Sequence, residues 1–387
     1  MSSALDSLDA ALKRFYDDTN GCRTKPRRKP RRDGRPHGWP RFKRKAAQAD
    51  SFALFNLVTK GQSPWRPVEG GHRLRLPTIG SVRVHENTRR LRRMIQRGGT
   101  VKSARCRAAG SRWYVALVVE MPEQPEPRPT RHQRTAGVVG VDVGVAHLAT
   151  LSTGEQIPNP RHARQAAKRV ARLQRDLARR RRPRGQAPSA KYVRTRRRLA
   201  DAQHMLAVRR AATLHDLTKR LATGWAVVAV EDLNVAGMTA SPAPAPDPEQ
   251  PGRWLANGSA AKAGLNRSIL DAAFGEFRRQ ISYKSSWYGS RMVPVPRFAP
   301  TSKMCSRCGA VKAKLALRDR VFECEVCGLE MDRDHNAAIN IAALAAATSP
   351  PDGGDAKRPA PKRVNPPPVV VDTEARKGPP VVCAQVR

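Results

Sequence analysis

The chain has 387 residues, with 73 lysines and arginines against 32 acids and a formal net charge of +41. A compact state carrying that charge repels itself unless a polyanion neutralises it, and nucleic acid is the matching counter-charge. No run of ~20 apolar residues is present to span a bilayer, and the acid-bearing start MSSALDSLDA lacks the apolar centre of a signal peptide, so the expectation is a cytoplasmic, reducing setting without a membrane partner.

Leu5, Leu8, Leu12 and Phe15 lie at helical spacing and predict a short amphipathic helix over the first ~20 residues. A proline-broken basic segment follows from Lys25 to Pro36, too charged to fold alone. Residues 38–45, GWPRFKRK, interleave aromatics with Arg41, Lys43 and Arg44. That mixture suits base stacking with phosphate contact, although Trp39 and Phe42 serve equally well as core anchors.

Residues 101–121 predict a β-hairpin turning at Ala109-Gly110, and Val138–Val143 predicts a further strand. Over 161–222 two amphipathic helices are expected, one with the stripe Val170, Leu173, Leu177 and one with Leu214, Leu217, Leu221, parted by the run Arg179–Arg184. A solvated helix face ordinarily mixes signs. Here Asp176, Asp201 and Asp216 are the acids among about twenty cations, which favours a nucleic-acid channel wall. The candidate contacts are Arg164, Lys168, Arg172, Arg175, Arg179, Arg180, Arg194 and Arg197.

Ala226–Val230 reads as a short buried strand, and SPAPAPDPEQP over 241–251 as a linker, taken to extend to 262. A third amphipathic helix is expected to begin at a capping-box-like Ser268 and Asp271, with Leu270, Phe274, Phe277 and Ile281 on one face. From Thr348 onward the chain is proline-rich and charged, and a disordered tail is expected.

Two CxxC pairs carry the most specific signal. Cys305/Cys308 and Cys324/Cys327 are separated by fifteen residues, and each pair is followed by glycine, Gly309 or Gly328. Four thiolates in two tight turns suit tetrahedral zinc; two disulfides or four unrelated thiols are the competing readings. Cys22, Cys106 and Cys383 fit no ligand pattern.

Three carboxylates stand out. Asp142 lies inside the apolar strand GVDVG, where an unpaired charge costs several kcal/mol. Glu231 closes AVVAV, where it can equally be the first solvated residue after the strand. Asp334 precedes a helix expected over Asn336 to about Ala346, where an N-cap role alone would account for it. Were the three to meet, Mg²⁺ is the cation that oxygen ligands of this kind select.

The segments VVGVDVGVAHLATLSTGE, VVAVEDLNVAGM, TSKMCSRCG, FECEVCGLE and MDRDHNAAINI resemble, in this order, the TnpB (OrfB) family of insertion-sequence-encoded, RNA-guided DNA endonucleases. The likeness extends from about Leu8 to Ile341. It implies an α/β fold: an RNase H-like (RuvC) nuclease domain with inserted basic helices and a four-cysteine zinc ribbon, plus a smaller N-terminal β-rich and helical nucleic-acid-binding module. The implied layout is an N-terminal module over 1–135, a RuvC-like domain over 136–300 with its basic arm at 161–222, a ribbon over 301–330, a last RuvC segment over 331–346 and a tail over 347–387. The resemblance makes Asp142, Glu231 and Asp334 the catalytic acids holding two Mg²⁺ ions, and the four cysteines the ligands of structural zinc. Asp232 and Asp332 stand beside the motif positions and are not carried over. Guide RNA and target DNA are the implied partners. Relative to the family pattern the N-terminal module is shortened and the proline-rich C-terminal extension is atypical. A DNA- or RNA-binding protein that no longer cuts, and a transposase or accessory transposition protein, are the alternative functions.

Overall fold

A computed structural model describes residues 51–55 and 66–348, except 69, 78, 123–125, 184, 251–252 and 317, together with Leu12 and the strand Val381–Val386. The expected N-terminal helix beyond Leu12, the Lys25–Pro36 segment, Cys22 and the segment bearing Arg41, Lys43 and Arg44 lie outside the described residues. No described helix is long and apolar enough to cross a membrane.

The chain divides into two compact units, with the boundary between Gln124 and Pro125. The first contains β1 (Ser51–Phe55), β2 (Arg66–Val68), β3 (Arg73–Leu76), β4 (Gly80–Arg83), α1 (Arg89–Gln96), β5 (Thr100–Ala109) and β6 (Arg112–Glu120). β5 and β6 form the predicted hairpin, turning at Gly110 with φ +63°. Leu74, Leu76, Leu91, Val101 and Leu117 build its core. Part of the expected tail is ordered into this unit: Val381–Val386 pairs antiparallel with β6. The physical reason is local composition, since VVCAQV returns to β-formers after the charged, proline-rich stretch.

The second unit opens with α2 (Arg131–Ala136), whose capping box is closed by Thr130 and Gln133. The Gln133 amide also donates to the carbonyls of Ala222 (2.8 Å) and Tyr288 (3.1 Å), which ties α2 to this unit and moves the boundary ahead of the expected residue 135. Then come β7 (Val138–Asp142), β8 (His147–Leu151), β9 (Gln156–Pro158), α3 (His162–Arg179), α4 (Ala190–Gly224), β10 (Val227–Glu231), α5 (Ser259–Ala272), α6 (Phe274–Tyr288), β11 (Arg291–Val295), β12 (Val321–Glu323), β13 (Glu330–Asp332) and α7 (Arg333–Thr348).

Five of these strands make a mixed sheet in the order β9-β8-β7-β10-β11. β7, β10 and β11 run parallel, whereas β8 and β9 pair antiparallel. Both faces are covered, as continuous apolar strands require. Val139, Val141, Val228 and Val230 pack with Leu214, Leu217, Leu221, Phe277 and Ile281 of α4 and α6. On the opposite face Ala229 and Val295 pack with Ile341 and Ala345 of α7.

α7 lies close against β7. A Cβ built on Gly140 would sit 2.6 Å from the Ala342 nitrogen and nearer still to the Ala338 carbonyl oxygen. Glycine is therefore the residue that lets this helix lie on this strand.

The helix expected to start at Ser268 is corrected. α5 begins at Ser259, and Ser268 sits inside it, its hydroxyl bonded back to the Gly264 carbonyl. The break falls at Ala273, a left-handed residue with φ 56°. Asp271 is no cap for its own helix: it accepts from Ala163 N (2.8 Å) and Arg210 (2.9 Å), fastening α3 and α4 to α5. Leu270 consequently faces solvent, while Phe274, Phe277 and Ile281 are buried.

Replacing Gly140 by alanine should lower the urea midpoint of unfolding, with a cost of at least about 1–3 kcal/mol because backbone rather than a flexible side chain must move. An unchanged midpoint would contradict the close approach of α7 to β7.

Candidate active site and metal centre

Parallel pairing sets two of the three carboxylates side by side. β7 and β10 are in register from Val138/Val227 to Val141/Val230, so the next residues, Asp142 and Glu231, are the last of their strands and stand at adjacent carboxyl ends of the sheet. Such strand ends are where open α/β sheets place their ligands. Asp334 lies in the first turn of α7, the helix laid over β7 and β10.

Asp142 feels the result. Burial first, then the charges of Glu231 and Asp334, push its carboxyl up to about 8, against a pull downward from Arg333. Among the described residues the three carboxylates do not all close to within 4.8 Å of one another, a range that the four cysteine sulfurs do meet. Repelling acids around an enclosed carboxyl are the donor set that a hard divalent cation relieves, and a pair of ions ~4 Å apart needs a wider cradle than one ion.

The neighbouring acids have other work. Asp232 is ion-paired to Arg278 and Arg297, and those guanidiniums hold its carboxyl below the usual range, the hydrogen bond from Arg278 most strongly. Asp332 caps α7, its Oδ1 accepting from His335 N at 2.9 Å. The N-cap role considered for Asp334 thus belongs to Asp332. Asp334 instead faces cations, with Arg333 at 3.3 Å and Arg320 at 3.9 Å.

The cysteines converge. Cys305 and Cys327 sulfurs are 3.6 Å apart and those of Cys308 and Cys324 are 3.5 Å apart. These separations are far beyond an S–S bond of about 2.05 Å and close to the ~3.8 Å edge of a tetrahedron with ~2.3 Å zinc–sulfur bonds. Both expected glycine turns have positive φ, +77° at Gly309 and +66° at Gly328. The N–H of Cys327, directed at the Cys324 sulfur, is the main cause holding that thiol down at about 6, and thiolate is the form zinc takes. Phe322, fully buried, and Leu329 supply the small core beneath the knuckles. The sulfurs fit zinc, and with four of them no coordination position is left open for chemistry.

Three features of the site had escaped the sequence. Thr301, buried just ahead of the first knuckle, donates its hydroxyl to Glu231 Oε1 at 2.6 Å. Asn336 and Asn340, both buried, reach from α7 to the carbonyls of Met304 and Thr301. Their i, i+4 spacing in the otherwise apolar run NAAINIAALAAA was the available signal: amides on a buried face must have partners.

The arm residues Arg164, Lys168, Arg172, Arg175, Arg179, Arg180, Arg194 and Arg197 are all exposed on α3, on α4 and at the C-terminus of α3. Arg179 is paired with Asp176, and Arg180 donates to Thr195. Leu173 and Leu214, Leu217 and Leu221 turn inward as their stripes predicted.

Two family models match this arrangement. One, described as "Probable transposase" of the OrfB group, covers residues 116–241, the span from β6 through β10; the other, "Cas12f1-like, TNB domain", covers 274–341, which holds the four cysteines. A "Putative RNA-guided DNA endonuclease" from Streptomyces pristinaespiralis is 38% identical over 260 residues, 67% of this chain and 56% of that protein. A Mycobacterium tuberculosis protein of the same description is 34% identical over 357 residues, 90% of this chain and 70% of that protein. A solved Cas12f1–sgRNA–target DNA complex matches with a TM-score of 0.41 and 18% identity, over 65% of this chain and 47% of that one. The chain belongs to the TnpB (OrfB) family, and it spans little more than half the length of the Streptomyces relative.

In the metal-free protein, the folded form keeps a proton on Asp142 that the unfolded chain releases near pH ~4. Stability should therefore fall as pH rises from about 4 to about 8 and level off above that. Melting points measured across this range should lose much of the slope in Asp142→Asn. A slope identical to wild type would mean that Asp142 is not the group under pressure.

Proposed function

We propose that this protein is an RNA-guided, metal-dependent DNA endonuclease of a transposable element, acting in the cytoplasm. The observation that carries the reading is the gathering of Asp142, Glu231 and Asp334 closely enough for two of them to press on the titration of the third. Support for a RuvC-like nuclease of the RNase H fold comes from the sheet order: three strands in antiparallel succession, β7 to β9, then two parallel strands added at the far edge of the first. The names of the relatives support guide RNA and DNA as partners.

In this reading Asp142, Glu231 and Asp334 would hold Mg²⁺, and Cys305, Cys308, Cys324 and Cys327 would hold structural zinc. Two bound magnesium ions supply an activated water and charge stabilisation at the leaving oxygen. The chain's own contribution is positional. Adjacent parallel strands fix two carboxylates, the capped start of α7 fixes the third, and Asp232 keeps Arg278 and Arg297 fixed beside them. Exposed arginines of α3 and α4, among them Arg164, Arg172, Arg175 and Arg194, would lie along the guide–target hybrid, recognising its backbone while base pairing reads sequence.

Purified with its bound RNA and supplied with matching DNA, wild type should cleave when Mg²⁺ is present. Asp142→Ala, Glu231→Ala and Asp334→Ala should each cut about 10³-fold more slowly or not at all, with DNA binding retained. Equal cleavage by wild type and the variants would remove the reading; joined donor–target products would turn it toward strand transfer. DNA affinity should also drop about a thousandfold between roughly 50 and 200 mM salt for about six phosphate contacts. A flat salt response would remove the arm from the interface.

A further inference from the structure

The segment TSKMC leads into the first cysteine pair, but its opening residue is wired elsewhere. Thr301 is 4% exposed. Its hydroxyl donates to Glu231 Oε1 at 2.6 Å, and its carbonyl accepts from Asn340 Nδ2 at 2.8 Å. Asn340 lies on the helix that carries Asp334. The same amide donates to the Met304 carbonyl at 2.6 Å, and Asn336 takes both the Met304 carbonyl (2.7 Å) and the Ser306 N–H (3.0 Å). One hydrogen-bond chain thus joins the second acid, the helix of the third acid and the mouth of the cysteine knuckle.

The turn is closed on itself as well. Thr301 N bonds the Ala299 carbonyl and Met304 N the Pro300 carbonyl, each at 2.8 Å. Thr301 has no freedom to wander, and neither does an oxygen bonded to it. A glutamate at a strand end has three side-chain torsions through which its carboxylate can swing outward toward water. A buried hydroxyl committed to Oε1 opposes that swing. Partners that orient a metal-binding carboxylate in this manner are worth about 10–100-fold in metal affinity.

We propose that Thr301 is a positioning residue of the carboxylate site: it holds Glu231 in the attitude that accepts a divalent cation, and Asn340 holds Thr301 in turn. The inference rests on the reading of Asp142, Glu231 and Asp334 as a cation site.

The test is Mn²⁺ binding to the full-length protein, followed by electron paramagnetic resonance, with Mg²⁺ dependence of cleavage as a second readout. Thr301→Val should weaken Mn²⁺ binding about 10–100-fold and raise the Mg²⁺ needed for half-maximal cleavage in proportion, with the rate recovering at saturating Mg²⁺. Thr301→Ser, which keeps the hydroxyl, should bind within about threefold of wild type, and bound zinc should be unchanged in both. If Thr301→Val loses zinc or its melting transition, Thr301→Ala carries the same expectation. Wild-type Mn²⁺ affinity in the valine variant overturns the proposal, and so does a serine variant as weak as valine, since packing alone would then explain both. Wild type with no Mn²⁺ site sensitive to Asp142→Ala brings down the cation-site reading itself, which separates the two failures.

Discussion

The organisation of the second unit depends on one close contact, the seating of α7 on β7 across Gly140 and Ala338. Almost no side-chain volume separates helix from strand there, and Ala229 on the neighbouring strand is small too. That proximity brings the start of the helix over the ends of β7 and β10, where Asp142 and Glu231 emerge. The apolar contacts of Ile341 and Ala345, farther along the helix, supply burial that offsets the repulsion gathered at its other end. Packing and electrostatics oppose each other along a single helix.

The acids in this region divide their work according to their surroundings. Within the pairs Glu231–Asp232 and Asp332–Asp334 every member has a partner, but Glu231 and Asp334 are the two whose charge bears most on Asp142. Asp232 finds two guanidiniums and Asp332 finds the His335 N–H in the first turn of a helix, so both are spoken for. Glu231 takes the Thr301 hydroxyl and Asp334 faces Arg333 and Arg320, yet the charges of both still push the Asp142 carboxyl up. In a chain with a net charge of +41, a local excess of negative charge is the more conspicuous for its setting.

Sequence reading succeeded where the information was local. Two sulfurs three residues apart followed by glycine determine a turn by themselves, and the alternation of leucines determines which side of a long helix faces inward. The placement of residues 142, 231 and 334 depends on strand order and on where α7 lies, which no local pattern contains, so their meeting was expected from family resemblance alone. Ser268 and Asp271 misled for a related reason. Their spacing matches a capping box, but Asp271 is claimed by Ala163 and Arg210, more than sixty positions away in the chain, and the helix continues through them. Gly140 and Thr301 were invisible because their neighbours come from the far C-terminal helix and from a central strand.

The order in which the chain is synthesised gives the placement of Asp334 a further meaning. Strands β7 to β10 emerge from the ribosome well before α7, so a nascent or prematurely terminated polypeptide holds two acids without the third, and the groove beside Gly140 lies open. Asp334 arrives only with the last described helix of the second unit to be made. A chain cut short ahead of residue 333 therefore lacks both the third acid and the helix that covers Gly140.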